Sequence, residues 1–338
     1  MRRTDMSHTF VAATICGSLL VAGGARGDEL DPRNPVVESF EETFDVHRAH
    51  HTDTVCAIGE FVGTSAAAAL SRSRLFAQTP ILAVARFAVT GSSVAGENAR
   101  EMELELRLPD GSQQHMTMLN ASTFVAADPI TFNEMIRAVK PDPTTGLPDE
   151  DRLREFLSSH PGAFARANFL AATAAPSSYA NSTYFSIHTF RFLDAFGRTH
   201  FVRWRFIPRD GEQAASPSQI VRTAQSAVVE RFFARLASGP LQWDMITYVG
   251  KPGDTTDNAT VAWPEVRRHF KAGTLTITRA MPGSEPACEK INSDPLIVAD
   301  GIAPTDDPVL LFRSPTYAKA FVGHLMHALE SPRAASLR

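Results

Sequence analysis

The chain has 338 residues, of which 43% are hydrophobic and 21% charged, with a net charge of −4. That balance gives a globular chain with a core of good size, and it offers no basic footprint for nucleic acid or an anionic membrane. Phenylalanine occurs 22 times and tyrosine four times, so any tyrosine with a chemical role is one of very few.

From the N-terminus, Arg2 and Arg3 precede an apolar run from Phe10 to Ala25, and Ala25-Arg26-Gly27 puts small residues where a signal peptidase reads. The run is too short for a membrane span and reads as a secretory signal, with cleavage before Asp28. Residues 28–338 then form one domain, because no break in composition and no internal repeat divides them. Asp28 to Asp45 is polar and reads as an arm. Val55–Phe61 is a strand, Ser65–Phe76 a short Ala-rich helix, and Pro80–Val89 a mostly apolar strand. Met102–Leu108 alternates as a half-buried strand. It turns at Pro109-Asp110-Gly111 into the returning strand Gln113–Leu119. Pro129–Val139 is an amphipathic helix, and another begins near Asp149 after a loop rich in Pro and Asp. Tyr184–Leu193 and Arg198–Ile207 make a second hairpin around Asp194 to Gly197. Gln219–Ala237 is helical, Leu241–Gly250 and Gly273–Arg279 are extended, and Asp307–Leu329 is a helix capped by Asp307 and Pro308. The pattern predicts an α+β fold, an antiparallel sheet or barrel with helices packed outside.

Cys16 leaves with the signal. Cys56 and Cys288 remain; a disulfide is open to them in an oxidising compartment, but Cys56 lies in an apolar strand and a buried free thiol is the favoured reading. Arg86 stands inside PILAVARFAV, where a buried guanidinium needs an anion. A protein carboxylate and a bound anionic ligand both answer that need. His47-Arg48-Ala49-His50-His51, flanked by Asp45 and Asp53, is open to three readings: a solvated loop, a divalent-metal site using His47, His50 and His51, or a single catalytic His entering the first strand. Arg313 precedes Tyr317 by four residues, so both can share a helix face. A nearby guanidinium favours the phenolate, a strong ligand for ferric iron. Pro315 between them kinks the helix or restarts it at Ser314.

Taken in order, these segments resemble haem catalases, and in particular the small catalase-related peroxidases that keep the barrel core and lack a C-terminal flavodoxin-like domain. The resemblance runs from about Phe44 to His327. It rests on Arg48-x-x-His51 with Val55 to Phe61, Thr79-Pro80-Ile81 through Arg86-Phe87, and Asn120 to Phe124 with Asp128-Pro129 and Phe132. Tyr184 through Phe190 and the stretch from Asp294-Pro295 to Arg313-x-x-x-Tyr317 complete it. It implies haem b, with Tyr317 on the iron and Arg313 holding it as phenolate. It implies His51 as the acid–base residue and Asn120 as hydrogen-bond donor to peroxide. Arg48 and Arg86 pair with haem propionates, Phe124 and Phe132 line the distal pocket, and His188 belongs to the proximal support. The implied reaction is peroxidation: hydrogen peroxide or an organic hydroperoxide oxidises a small organic donor, with weak catalase activity. True catalase turnover, a non-catalytic haem-binding protein and the metal binder are the alternatives. Self-association into a homo-oligomer stays open, and the implied location is the bacterial periplasm. This sequence departs from the family at Thr52-Asp53-Thr54, where Ala-Lys-Gly is usual. It departs again at Ala88, where the family's Arg-Phe-Ser places a hydroxyl.

Overall fold

The strand Ile81–Val89 (β2) shows how the molecule is organised. Ile81, Ala83, Ala85, Phe87 and Val89 belong to one large apolar cluster, while Leu82, Val84, Arg86 and Ala88 point the other way. Alternation of side chains along a strand divides inside from outside in this manner. In a computed structural model, residues 54–89, 99–140, 148–215, 226–283 and 294–314 are described, together with Asp142, Thr145, Glu285, Cys288 and Ile291.

Val55–Gly63 (β1), β2, Arg100–Arg107 (β3) and Gln113–Leu119 (β4) form an antiparallel meander. Tyr184–Phe185 (β5), Thr199–Pro208 (β7), Leu241–Val249 (β8) and His269–Pro282 (β9) follow β4 around the sheet. β7 pairs with both β5 and β8, and β9 pairs with β1, so eight strands close into a barrel. Phe190–Leu193 (β6) and Ile302–Pro304 (β10) extend outward from β7. Register shifts at Ile58/Gly59 and Met245/Ile246 give the bends that closure requires. The helices are Ser65–Ala68 (α1), Pro129–Val139 (α2), Glu150–Ser159 (α3), Pro161–Ala172 (α4) and Ser226–Ala237 (α5). A further helix begins at residue 308. Asp128 and Asp149 cap α2 and α3 through their side chains, which fixes where each starts.

The barrel interior is filled. Phe87 lies 5.2 Å from Phe232, 5.7 Å from Trp243 and 5.9 Å from both Tyr179 and Tyr184, centroid to centroid. The polar tips of these aromatics are satisfied locally: the Tyr184 hydroxyl donates to the Tyr179 carbonyl, and the Trp243 indole N–H to that of Ser182. Gly273 is glycine because a Cβ there would come within 2.1 Å of the Phe61 ring. With no room inside for a large ligand, any site must lie on the outer face.

Three sequence expectations need correction. Ser65–Phe76 is not one helix. It stops at Ala68, because the Ser71 hydroxyl donates to the Gly301 carbonyl and accepts from Ser73 N–H, while Arg72 N–H donates to the Leu193 carbonyl. These bonds to a distant hairpin outcompete helix propagation. Tyr184–Leu193 is not one strand either. Ile187, at φ 59°, breaks it into β5 and β6. Cys56 and Cys288 are joined by a disulfide and are not free thiols. Apolar neighbours alone could not distinguish the two states, since a fully buried disulfide keeps the same neighbours as a buried thiol.

Candidate active site on the outer face of the barrel

His188 follows the break at Ile187. A β-branched residue in the left-handed region is strained, and such strain persists only where surrounding contacts hold it. Here the Ser186 hydroxyl donates to the His188 carbonyl and accepts from Trp204 N–H, and His188 N–H donates to the Ser186 carbonyl. The result is an imidazole that is 1% exposed.

β10 brings the partner. Its register, with Ala303 opposite Arg191 and Pro304 opposite Phe190, leads the chain to Asp307 beside His188. The two are 2.8 Å apart, His188 Nδ1 to Asp307 Oδ2. The other carboxylate oxygen of Asp307 accepts from Val309 and Leu310 N–H, so one side chain both caps the helix and orients the imidazole. About one and a half turns into that helix, Arg313 reaches back, with Nη1 3.2 Å from His188 Nε2. The carboxylate fixes the proton on Nδ1, which leaves Nε2 as the acceptor for the guanidinium. Burial lowers the His188 pKa, and the charges of Arg313 and Arg203 lower it further against the pull of Asp307. The imidazole is neutral, as the accepting role requires. The array runs Asp307, His188, Arg313, and it sits entirely in the protein interior.

A second group comes from the loop after β4. Asn120 N–H donates to the Arg100 carbonyl at 3.0 Å, and Arg100 N–H donates to Asn120 Oδ1 at 2.8 Å. The carbonyl end of the amide is therefore held by backbone, which orients the Nδ2 end as a donor. At the far end of the loop, Phe124 N–H donates to the Ala259 carbonyl. The Phe124 ring packs on Phe132 at 5.3 Å, on His188 at 5.9 Å, and under the Arg313 guanidinium at 5.5 Å. The loop of Asn120 and the array of His188 thus meet at Phe124. That ring lies against Arg313 and His188, the residues assigned to the proximal side.

Arg86 faces outward from β2, with Nη1 3.3 Å from Glu103 on the adjacent strand. Both are buried, Glu103 at 2% exposure. The carboxylate that Arg86 needs is thus supplied by the protein, although its Nε has no hydrogen-bond partner among the described residues. Ala88 points to the same face, so no hydroxyl stands at that position. Arg48, His51 and Tyr317 lie outside the described residues. So do His47 and His50, and among the described residues no cluster of three or more His, Cys, Asp or Glu could hold a metal ion.

Several residues of the site escaped sequence reading. Asp307 was legible as a helix cap but not as the partner of His188. Glu103 was hidden in the alternating MELELRL, where a glutamate on the polar face reads as solvated. Arg203, whose charge bears on His188, lies in a segment whose periodicity gave no cause to single it out.

The residues present fit a haem held through a phenolate. A buried guanidinium, held by a neutral imidazole and a carboxylate, precedes Tyr317 by four residues, and a buried arginine with an open Nε lies on the same barrel's outer face. Comparison with known proteins agrees. The catalase family pattern matches residues 37–327. A catalase-related peroxidase of Synechococcus elongatus is 41% identical over 293 residues, covering 85% of this chain and 86% of that protein. One from Mycolicibacterium paratuberculosis is 31% identical over 276 residues, covering 80% and 87%. Among solved structures, a fungal catalase superposes with TM-score 0.71 at 18% identity, over 80% of this chain and 57% of its own. A bacterial catalase gives 0.70, also at 18% identity, over 95% and 67%. The chain spans about three fifths of such catalases and nearly the whole of the smaller peroxidases. With the pattern matched over most of its length and a relative of this identity, the chain belongs to the catalase family.

Proposed function

We propose that this protein is a catalase-related peroxidase. It uses hydrogen peroxide or an organic hydroperoxide to oxidise a small organic donor through haem b, with weak catalase activity. Two relatives that match over most of both chains carry the peroxidase name, and the family makes the chain an oxidoreductase acting on peroxide. The observation that carries the reading is the buried Asp307–His188–Arg313 array, which fixes a guanidinium four residues before Tyr317, where a positive charge favours a phenolate.

The haem, when bound, supplies the two-electron reduction of peroxide and the one-electron oxidations of the donor. The chain does the rest. Arg313, held by neutral His188 and four residues before Tyr317 in the sequence, would favour the phenolate of that tyrosine. Asn120, with its carbonyl oxygen held by Arg100 N–H, donates from Nδ2 to the peroxide. His51 accepts the proton from the attacking peroxide and returns it to the departing oxygen. Arg48 and the open Nε of Arg86 pair with the propionates, and Phe132 limits access. Ala88 offers no hydroxyl to orient His51, which disfavours efficient oxidation of a second peroxide and so favours peroxidase over catalase turnover.

Residues 1–27 act as an export signal and 28–338 as the functional domain, placed in the periplasm. The Cys56–Cys288 bond supports this placement, since structural disulfides persist in oxidising compartments. Absorption spectra of the purified protein beside Tyr317→Phe test the central claim. A tyrosinate-type ferric spectrum lost in the variant is the expected result, and a Soret band unchanged by the substitution would remove Tyr317 from the iron. Oxygen evolution measured against oxidation of a dye donor separates catalase from peroxidase.

A further inference from the structure

One buried charge is not explained by the site as described. Arg166, in α4, is 5% exposed. Its Nε donates to the Thr123 carbonyl at 3.0 Å, and among the described residues no carboxylate lies within ion-pair distance of it. Two other buried arginines differ from it: Arg86 has Glu103, and Arg203 lies in the fields of Asp307 and Asp254. Burial alone pushes the Arg166 pKa down to about 10, with no neighbouring charge to offset it.

The acceptor explains why the charge matters. Thr123 belongs to the loop that begins with Asn120 and ends with Phe124. That loop is tied to Arg100 at its start and to Ala259 at its end, and Arg166 ties the middle. A neutral amide could make the same bond. Holding a carbonyl with a cation instead costs desolvation that one neutral acceptor does not return. What the cation adds is a field, and in a poorly screened interior that field acts on any anion near the loop.

We infer that Arg166 is a positioning residue for the distal side: it holds the Asn120–Phe124 loop and supplies a positive charge, answered by no carboxylate among the described residues, that favours anions bound there, the deprotonated peroxide among them. The inference rests on the reading of that loop as the wall above a bound haem. It differs from the roles given to Arg48 and Arg86, which answer propionates, because Arg166 acts on the ligand side through Asn120 and through charge.

The test compares the ferric holoenzyme with Arg166→Met and Arg166→Lys, using azide as the anionic probe and nitric oxide as the neutral one. Azide affinity is expected to fall about five- to tenfold in Arg166→Met, as for loss of one weakly screened charge. Nitric oxide affinity stays unchanged, and Arg166→Lys keeps most of the azide affinity. The melting temperature of Arg166→Met is expected to match or exceed that of the parent, because an unpaired buried charge has been removed. Equal losses for both probes, a drop of several degrees in melting temperature, or failure of Arg166→Met to fold would each overturn the inference and make Arg166 a packing residue. A parent protein with no haem band overturns both the inference and the function on which it rests, whereas a normal band with parallel losses overturns the inference alone.

Discussion

The inside and outside of the barrel are buried to similar degrees by opposite means. Inside, Phe61, Phe87, Phe206, Phe232 and Trp243 pack in tilted and stacked pairs, with no charge among them. Outside, Arg86, Glu103, Glu105, His115, His188, Asp307 and Arg313 are also buried, yet all are polar or charged. Burying apolar rings stabilises the fold at about 25 cal/mol per Å². Burying charges costs free energy even when they are paired, so a concentration of them on the outer face singles that face out as the place where chemistry is to be sought. The interior tells how the chain folds, and the outer face tells what it does.

That contrast can be broken by substitution, and the largest effect is expected inside. Phe87→Ala removes the ring at the centre of the aromatic cluster and should cost about 3–5 kcal/mol in denaturant unfolding, while leaving the spectrum and the turnover of the folded fraction unchanged. A large spectral change in that variant would show that interior and exterior are not separable. Next comes the bond that fastens the outer segment to the barrel. Cys56 and Cys288 are 232 residues apart in sequence, and replacing both with alanine should cost about 2–5 kcal/mol. The same loss should follow on reduction of the parent protein under denaturing conditions, read as a lower urea midpoint.

On the outer face the balance reverses. Asp307→Asn keeps a side chain able to cap the helix and should cost only about 1–2 kcal/mol, because an amide replaces a charge-assisted acceptor. Peroxidase kcat should nevertheless fall about 10- to 100-fold, as when an outer partner of a ligand is lost, with the ferric spectrum shifted. Unchanged kcat would sever His188 and Asp307 from function. The smallest effect is on pH dependence. Folding holds His188 below its ordinary pKa, so the unfolded chain binds a proton that the native one refuses. Its stabilising contribution is therefore complete above about pH 6.5 and declines as the pH falls below that value, by up to about 1.4 kcal/mol per unit. Melting temperatures from pH 7.5 to 5.5 should drop less steeply for His188→Gln than for the parent.

How much of this was legible in the sequence varies by segment. The hairpin of β3 and β4 could be read directly, because MELELRL and the Pro109-Asp110-Gly111 turn are local signals, and α2 was legible from its amphipathic pattern for the same reason. Arg313 was legible from its spacing to Tyr317, whereas Asn120 and His188 were legible only as parts of an ordered resemblance. The broken helix at Ser71 and the interrupted strand at Ile187 were not legible, since each depends on hydrogen bonds to residues far away in the chain.

The sequence by itself determined the strand alternation, the turns, the helix caps and the order of family segments, because each is encoded within a few neighbouring residues. The tertiary structure alone decided that Cys56 meets Cys288, that Glu103 answers Arg86, that Asp307 holds His188, and that Arg166 has no carboxylate among the described residues. The first three are pairings across 17 to 232 positions, and two of them link segments that are not adjacent in the sheet. Closure of the barrel sets them, and no local pattern of residue types specifies which buried charge will face which.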